Sequence, residues 1–198
     1  MGNVYTGTNV KKVANIRIKG KDSFRLQFLI DRMHDWFVEE GWGPSDNHEF
    51  PERMFRLTEK QNGKKDWRIE WRLRRPITPF IRGVWDIDFN ILDIEDIEII
   101  HEGKKIKTNW SDCDINMVIR MDYDYGGNWS KHWLMKHFAV LFPKRIYRKE
   151  YYEYYDRIYR DAYALQQTIK NYWKYKSWVD EPEFGTIDRP KGLPSLEE

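Results

Sequence analysis

The chain of 198 residues has a single cysteine, Cys113. A lone cysteine excludes an internal disulfide and a zinc site built as a cysteine cage. It stands at an inward position of an alternating stretch, which predicts a buried thiol rather than a nucleophile and a reducing, cytoplasmic setting. Long hydrophobic runs are also missing. The longest, Phe138 to Pro143, is far short of the roughly 20 apolar residues of a spanning helix, and no signal-peptide core is present. Alanine occurs only four times, so helices here must rest on packing more than on intrinsic propensity. Glycine-rich phosphate loops, a Gly-x-Ser-x-Gly elbow and a paired-carboxylate signature are absent. No acid, base or nucleophile announces an enzyme, and no cofactor is expected.

Aromatic residues are abundant: 16% of the chain, with ten tryptophans and twelve tyrosines. Such side chains favour cores and interfaces, because they combine large apolar area with a polar tip. Charged residues make up 33%, which fits a soluble globular chain of one-domain size. The net charge of +2 is arranged in blocks: +5 over residues 1–75, −6 over 76–130, +7 over 131–179 and −4 over 180–198. Complementarity between neighbouring elements explains such blocks, although the basic ones would also steer an anionic partner. Residues 1–179 are read as a single α+β domain. Residues 180–198, with Pro182, Pro190 and Pro194, are read as an extended tail.

The clearest periodicity is in Asp66 to Arg75. Trp67, Ile69, Trp71 and Leu73 alternate with Arg68, Glu70, Arg72 and Arg74, a strand with one dry and one charged face. Its partner is Arg53 to Lys60. A two-residue Asn-Gly turn would leave Phe55 and Leu57 on the charged face. A three-residue loop with Gly63 in the left-handed position instead pairs Leu57 with Trp67 and Phe55 with Ile69. Upstream, Ala14, Ile16 and Ile18 mark a first strand that Gly20 and Lys21 should break, with Asp22 or Ser23 capping a helix. Leu26, Leu29, Ile30, Met33 and Phe37 form its apolar stripe, and Gly41 its left-handed end. Downstream, Trp85, Ile87, Phe89 and Ile91 alternate until the phase changes, which predicts a bulge near Leu92 or Asp93. Ile97 and Ile99 begin another run, turned at Glu102-Gly103 so that Ile99 faces Ile106. Cys113, Ile115, Met117, Ile119, Met121 and Tyr123 form the last strand.

A helix is predicted from about Ser130, interrupted at Pro143 and continued to about Lys176. In it Tyr151, Tyr155, Ile158, Ala162, Leu165, Ile169 and Tyr172 step by four and three, a heptad seam. The flanking Tyr152, Tyr159, Tyr163 and Trp173 are candidates for an interface with another chain. Arg145, Arg148 and Lys149 add basic groups among the tyrosines, the composition of a single-strand nucleic-acid surface. The tyrosine spacing is that of a core, so nucleic acid is not the favoured partner.

Shorter motifs weigh less. Asp112, Asp114 and Asn116 imitate the opening of a calcium loop, but Met117 stands where the loop needs glycine. His132 and His137 are five apart, which separates them around a helix, so no metal site is assigned; His34, His48 and His101 have no second metal ligand at a convincing spacing. Asp86 and Asp88 should pair across strands with Arg68, Arg72 and Arg74. Met1 to Thr6 matches the loose myristoylation pattern, with Gly2 as acceptor.

The order strand, helix, about six to seven strands and long C-terminal helix, over residues 10–176, resembles the helix-grip arrangement of START-like domains. That resemblance implies a curved antiparallel sheet wrapped around the last helix and a hydrophobic small molecule held between them. The expectation is therefore a non-catalytic binding protein. Trp67, Trp71, Trp85, Phe89, Met117 and Met121 would line the cavity and face Tyr155 and Ile158. Two alternatives stand beside it: a subunit of a homo-oligomer or larger complex using the tyrosine flank and the tail, and a single-stranded nucleic-acid binder using the basic helix.

Overall fold

The computed structural model describes residues 10–43, 51–101, 104–129, 132–133, 135, 145 and 147–175. Alternation builds one antiparallel sheet from β1 (Val10–Phe24), β2 (Glu52–Glu59), β3 (Lys65–Pro76), β4 (Ile81–His101) and β5 (Lys104–Tyr123), in the order β1-β5-β4-β3-β2. Two helices are described, α1 (Leu26–Glu39) and α2 (Arg148–Tyr175).

The β2–β3 register is the expected one, although Phe55 and Leu57 stay exposed. Leu57 faces Trp67 and Phe55 faces Ile69, across a loop in which Gly63 has φ +78°. Among the described residues the sheet nevertheless has five strands rather than six or seven. The phase change after Ile91 is a bulge between Leu92 and Glu95, with Asp93 at φ +54°, and it bends β4 without ending it. Ile97 and Ile99 therefore belong to the same strand as Trp85. Ile99 faces Ile106 as expected, and β5 continues unbroken from there to Tyr123.

β1 corrects a second expectation. Gly20 and Lys21 do not break it, since Gly20 pairs with Cys113 and the ladder runs on to Phe24. The fit at Gly20 is tight: a Cβ would meet the Trp173 ring at 3.1 Å. With Asp22 and Ser23 inside the strand, neither caps α1. Arg25 occupies that position and offers no side-chain cap. The stripe Leu26, Leu29, Ile30, Met33 and Phe37 is buried as expected, and Gly41 at φ +65° follows the helix end.

Both helices lie on the apolar face of the sheet. On α2 the seam residues Ile158, Ala162, Leu165 and Ile169 are fully buried. The Tyr155 hydroxyl lies 3.4 Å from the Val13 carbonyl, and that of Tyr172 donates to the Arg25 carbonyl at 2.9 Å. These contacts seat α2 over β1. It is α1 that covers the tryptophan stripe, with Trp36 and Phe37 against Trp85 and Phe37 against Trp71 at centroid distances of 5.9, 5.3 and 6.2 Å. Trp42 adds a third ring on Trp85 at 5.3 Å. Of the helix expected from Ser130, residues 132, 133 and 135 lie in bends and turns. The rest of that segment up to Pro143, the Met1–Thr6 motif, His48, His137, the Glu102-Gly103 turn and the tail 180–198 lie outside the described residues.

One contact ties the two helices through the loop after α1: Trp42 Nε1 donates to Asp161 Oδ2 at 3.0 Å. Burial pushes the Asp161 carboxyl above its usual range. The Trp42 N–H opposes this, Glu40 adds to it, and Arg157 and Arg160 pull it back. A raised carboxyl binds its proton more tightly folded than unfolded. Its contribution to stability is thus fully present at acid pH and is lost as pH rises through the folded value. Asp161→Asn keeps an acceptor for Trp42 and removes the charge. Urea unfolding should show the variant more stable than the parent at neutral pH, by up to about 1 kcal/mol, with the difference closing as pH falls toward the usual carboxylate range.

Candidate functional site

Six of the eight residues expected to line a cavity lie in the continuous core. Trp71, Trp85, Met117, Met121 and Ile158 have no exposed surface, and Phe89 is 2% exposed. Trp71 and Phe89 pack edge to face at 5.0 Å. Met117 and Met121 stand on β5, where they pair with Ile87 and Gly83. Tyr155 is half-buried at the margin, its hydroxyl toward Val13. Trp67 differs. It is half-buried, touches Phe55 edge to face at 5.5 Å, and lines a cleft of about 360 Å³.

The cleft lies between the first turn of α1, the β2–β3 loop and the bent part of β4. Trp67, Leu26 and Ile94 supply its apolar wall; Gln27, Asn62, Lys64, Lys65, Glu95, Asp96 and Asn109 supply the rest. Most of these polar groups already have partners. Lys64 meets Glu95 at 2.9 Å, and Gln27 donates to Asp31 at 2.9 Å. Asn109 donates to Asp96 at 2.5 Å, and Asn62 Oδ1 accepts the Lys64 N–H at 3.1 Å. Two donors stand apart. Trp67 Nε1 is buried with no acceptor among the described residues. Lys65, an inward position two before Trp67, has no carboxylate partner among them either.

Sequence reasoning found Trp67 and missed the others that matter here. Lys65 carried a signal, being the one lysine in phase with the dry face of β3. Leu26 and Ile94 carried none, because they reach Trp67 only through the placement of α1 and the bulge in β4. Next to the cleft, Lys60 bridges Asp66 at 2.9 Å and Asp93 at 2.7 Å. Burial acts to raise the Asp66 carboxyl, but the Asp93 N–H and Lys60 outweigh it and hold the group below its ordinary value.

The opposite face of the sheet is polar and internally paired. Arg72 meets Glu70 at 3.0 Å and Asp88 at 2.6 Å, and its Nε lies 3.7 Å from Asp86, which also pairs with Arg120. Asp114, the central acid of the calcium-like motif, is engaged by Arg17 and by Lys19 at 3.6 Å. Among the described residues no cluster of three or more potential metal ligands is present. Cys113 is buried, and burial together with Asp114 and Asp112 pushes its thiol up to about 12, which makes it a poor nucleophile.

On α2 the flank Tyr152, Tyr159 and Tyr163 is 52%, 41% and 44% exposed. Tyr155, Tyr159 and Tyr163 follow one another at 6.5 and 4.6 Å between rings. Trp173 does not belong to that flank, since it packs on Phe24 at 6.0 Å and over Gly20. Arg145 is exposed, Lys149 pairs loosely with Glu153 at 3.9 Å, and Arg148 lies over the Tyr152 ring at 5.8 Å. None of the described helices is long and apolar enough to cross a membrane. No family model matches the chain, and none of the curated proteins compared with it is similar to it.

Proposed function

We propose that the protein is a non-catalytic binding module for a small aromatic or otherwise apolar molecule that carries an acidic group, held in the cleft beside Trp67. The supporting observation is an apolar wall beside the Lys65 ammonium, which has no carboxylate partner among the described residues. A flat ring packs on Trp67, Leu26 and Ile94 by area and dispersion, and an acidic group accepts from the Lys65 ammonium. The volume falls at the small end of the range typical of ligand pockets. Binding of a hydrophobic molecule is also what the helix-grip order implies, but the cleft lies toward α1 rather than between the sheet and α2.

Ligand-observed NMR with naphthoate and its neutral analogue naphthylmethanol tests this. Trp67→Ala should weaken naphthoate binding about tenfold or more. Lys65→Gln should weaken naphthoate by roughly threefold to tenfold and leave naphthylmethanol unchanged. Trp67→Phe, which preserves the packing on Phe55, guards against a folding defect. Binding of naphthoate that is equal in the parent and in Trp67→Ala overturns the reading.

A second reading, an assembly subunit, draws on the exposed tyrosine row of α2, because Tyr is enriched at interfaces. Co-purification of a partner that Tyr159→Glu releases would favour it.

A further inference from the structure

We propose that β2 is a self-association edge: two copies of this chain pair their β2 strands antiparallel, about a two-fold axis passing between the two Arg56 residues. This does not rest on the cleft. Among the described residues β2 is an outer strand of the sheet, and all eight of its residues are exposed. Phe55 and Leu57, on the apolar face beyond the reach of α1, are each 51% exposed. An open edge with apolar side chains is a template for another strand.

The free backbone groups can be assigned. Lys60 N donates to Lys64 O at 2.8 Å, so that pair is a bonded one. Bonded and non-bonded pairs alternate along an antiparallel ladder. Thr58 and Arg56 therefore bond toward β3, while Glu59, Leu57 and Phe55 direct their N–H and C=O groups to the open edge. A two-fold axis lying between two residues would oppose open-edge groups to inward ones and form no ladder, so the axis must pass at a residue.

Side chains then choose the residue. With the axis at Phe55, Arg53 faces Leu57. With the axis at Leu57, Phe55 faces Glu59. Only the axis at Arg56 sets Phe55 against Leu57 twice and Arg53 against Glu59 twice, with Met54 opposite Thr58. The bulge between Glu52 and Met54 confines the regular ladder to the middle of the strand, and Arg53 reaches Glu59 from that bulge. The one mismatch is Arg56 against Arg56, on the exposed polar face.

Sedimentation equilibrium should show a weak dimer, with Kd on the order of 10–100 µM, because a single strand is less than a standard interface. Arg56→Cys reads the register. Opposed residues of a non-bonded pair have Cα atoms about 4.5 Å apart, within disulfide range. Mild oxidation should therefore give a covalent dimer from Arg56→Cys and none from Phe55→Cys or Thr58→Cys, with buried Cys113 a silent background. Arg56→Thr, which removes the like pair, should tighten the dimer roughly threefold or more, and Leu57→Lys should abolish it. All these positions are exposed, so the variants retain the fold, which circular dichroism checks. A chain that stays monomeric at every concentration, a dimer that Leu57→Lys leaves intact, or equal cross-linking at Phe55 or Thr58 overturns the proposal.

Discussion

Trp85→Ala should cost about 4 kcal/mol of stability. Trp85 has no exposed surface and is touched by Trp36, Phe37 and Trp42. Truncation leaves a cavity that three rings on α1 and its following loop cannot fill by small shifts, since each is held by its own neighbours. Its indole nitrogen has no acceptor among the described residues, so the loss is one of packing rather than of hydrogen bonding. Trp85→Phe keeps most of the ring contact and should cost only about 1–2 kcal/mol. Urea unfolding of the two variants measures the difference. Equal and small losses would show that the aromatic layer is not the centre of the core.

Gly83→Ala should destabilise by about 2–3 kcal/mol, although it adds one methyl group to a strand. A Cβ on Gly83 would lie 2.4 Å from the six-membered ring of Trp42. That is far inside contact distance, and the ring is not free to retreat. It is held between Trp85 and the hydrogen bond to Asp161, and the Arg75 guanidinium lies over it at 5.8 Å. Displacing Trp42 breaks the link between α1 and α2 as well as the packing. Gly63→Ala provides the contrast. Its Cβ would meet nothing within 4 Å, but φ is +78°, so the cost is backbone strain alone, about 1 kcal/mol. If Gly83→Ala proves no worse than Gly63→Ala, the close approach of Trp42 is not a constraint on the fold.

Much of this architecture follows from side-chain alternation and helical periodicity. Side-chain parity set Leu57 opposite Trp67, and the length of the turn set Ile99 opposite Ile106. The phase change after Ile91 located the bulge, and steps of four and three located the buried seam of α2. These signals are local, so they survive in the chain as written.

What they leave open depends on contacts between distant residues. Gly20 looks like an interruption in the sequence; in the fold Gly20 and Gly83 are where Trp173 and Trp42 approach the strands. The tryptophan stripe of β3 and β4 requires a cover, but its pattern is equally compatible with either helix. Volume decided in favour of α1, whose Trp36 and Phe37 reach both Trp71 and Trp85 while α2 is seated over β1. The same placement moved the candidate ligand site. Only after α1 takes the centre of the sheet does a gap remain at its first turn, where Trp67, Lys65 and Ile94 meet. The alternation that makes β2 a strand says nothing of its having one neighbour instead of two. Strand order is a property of the whole sheet, and it left Phe55 and Leu57 at an open edge.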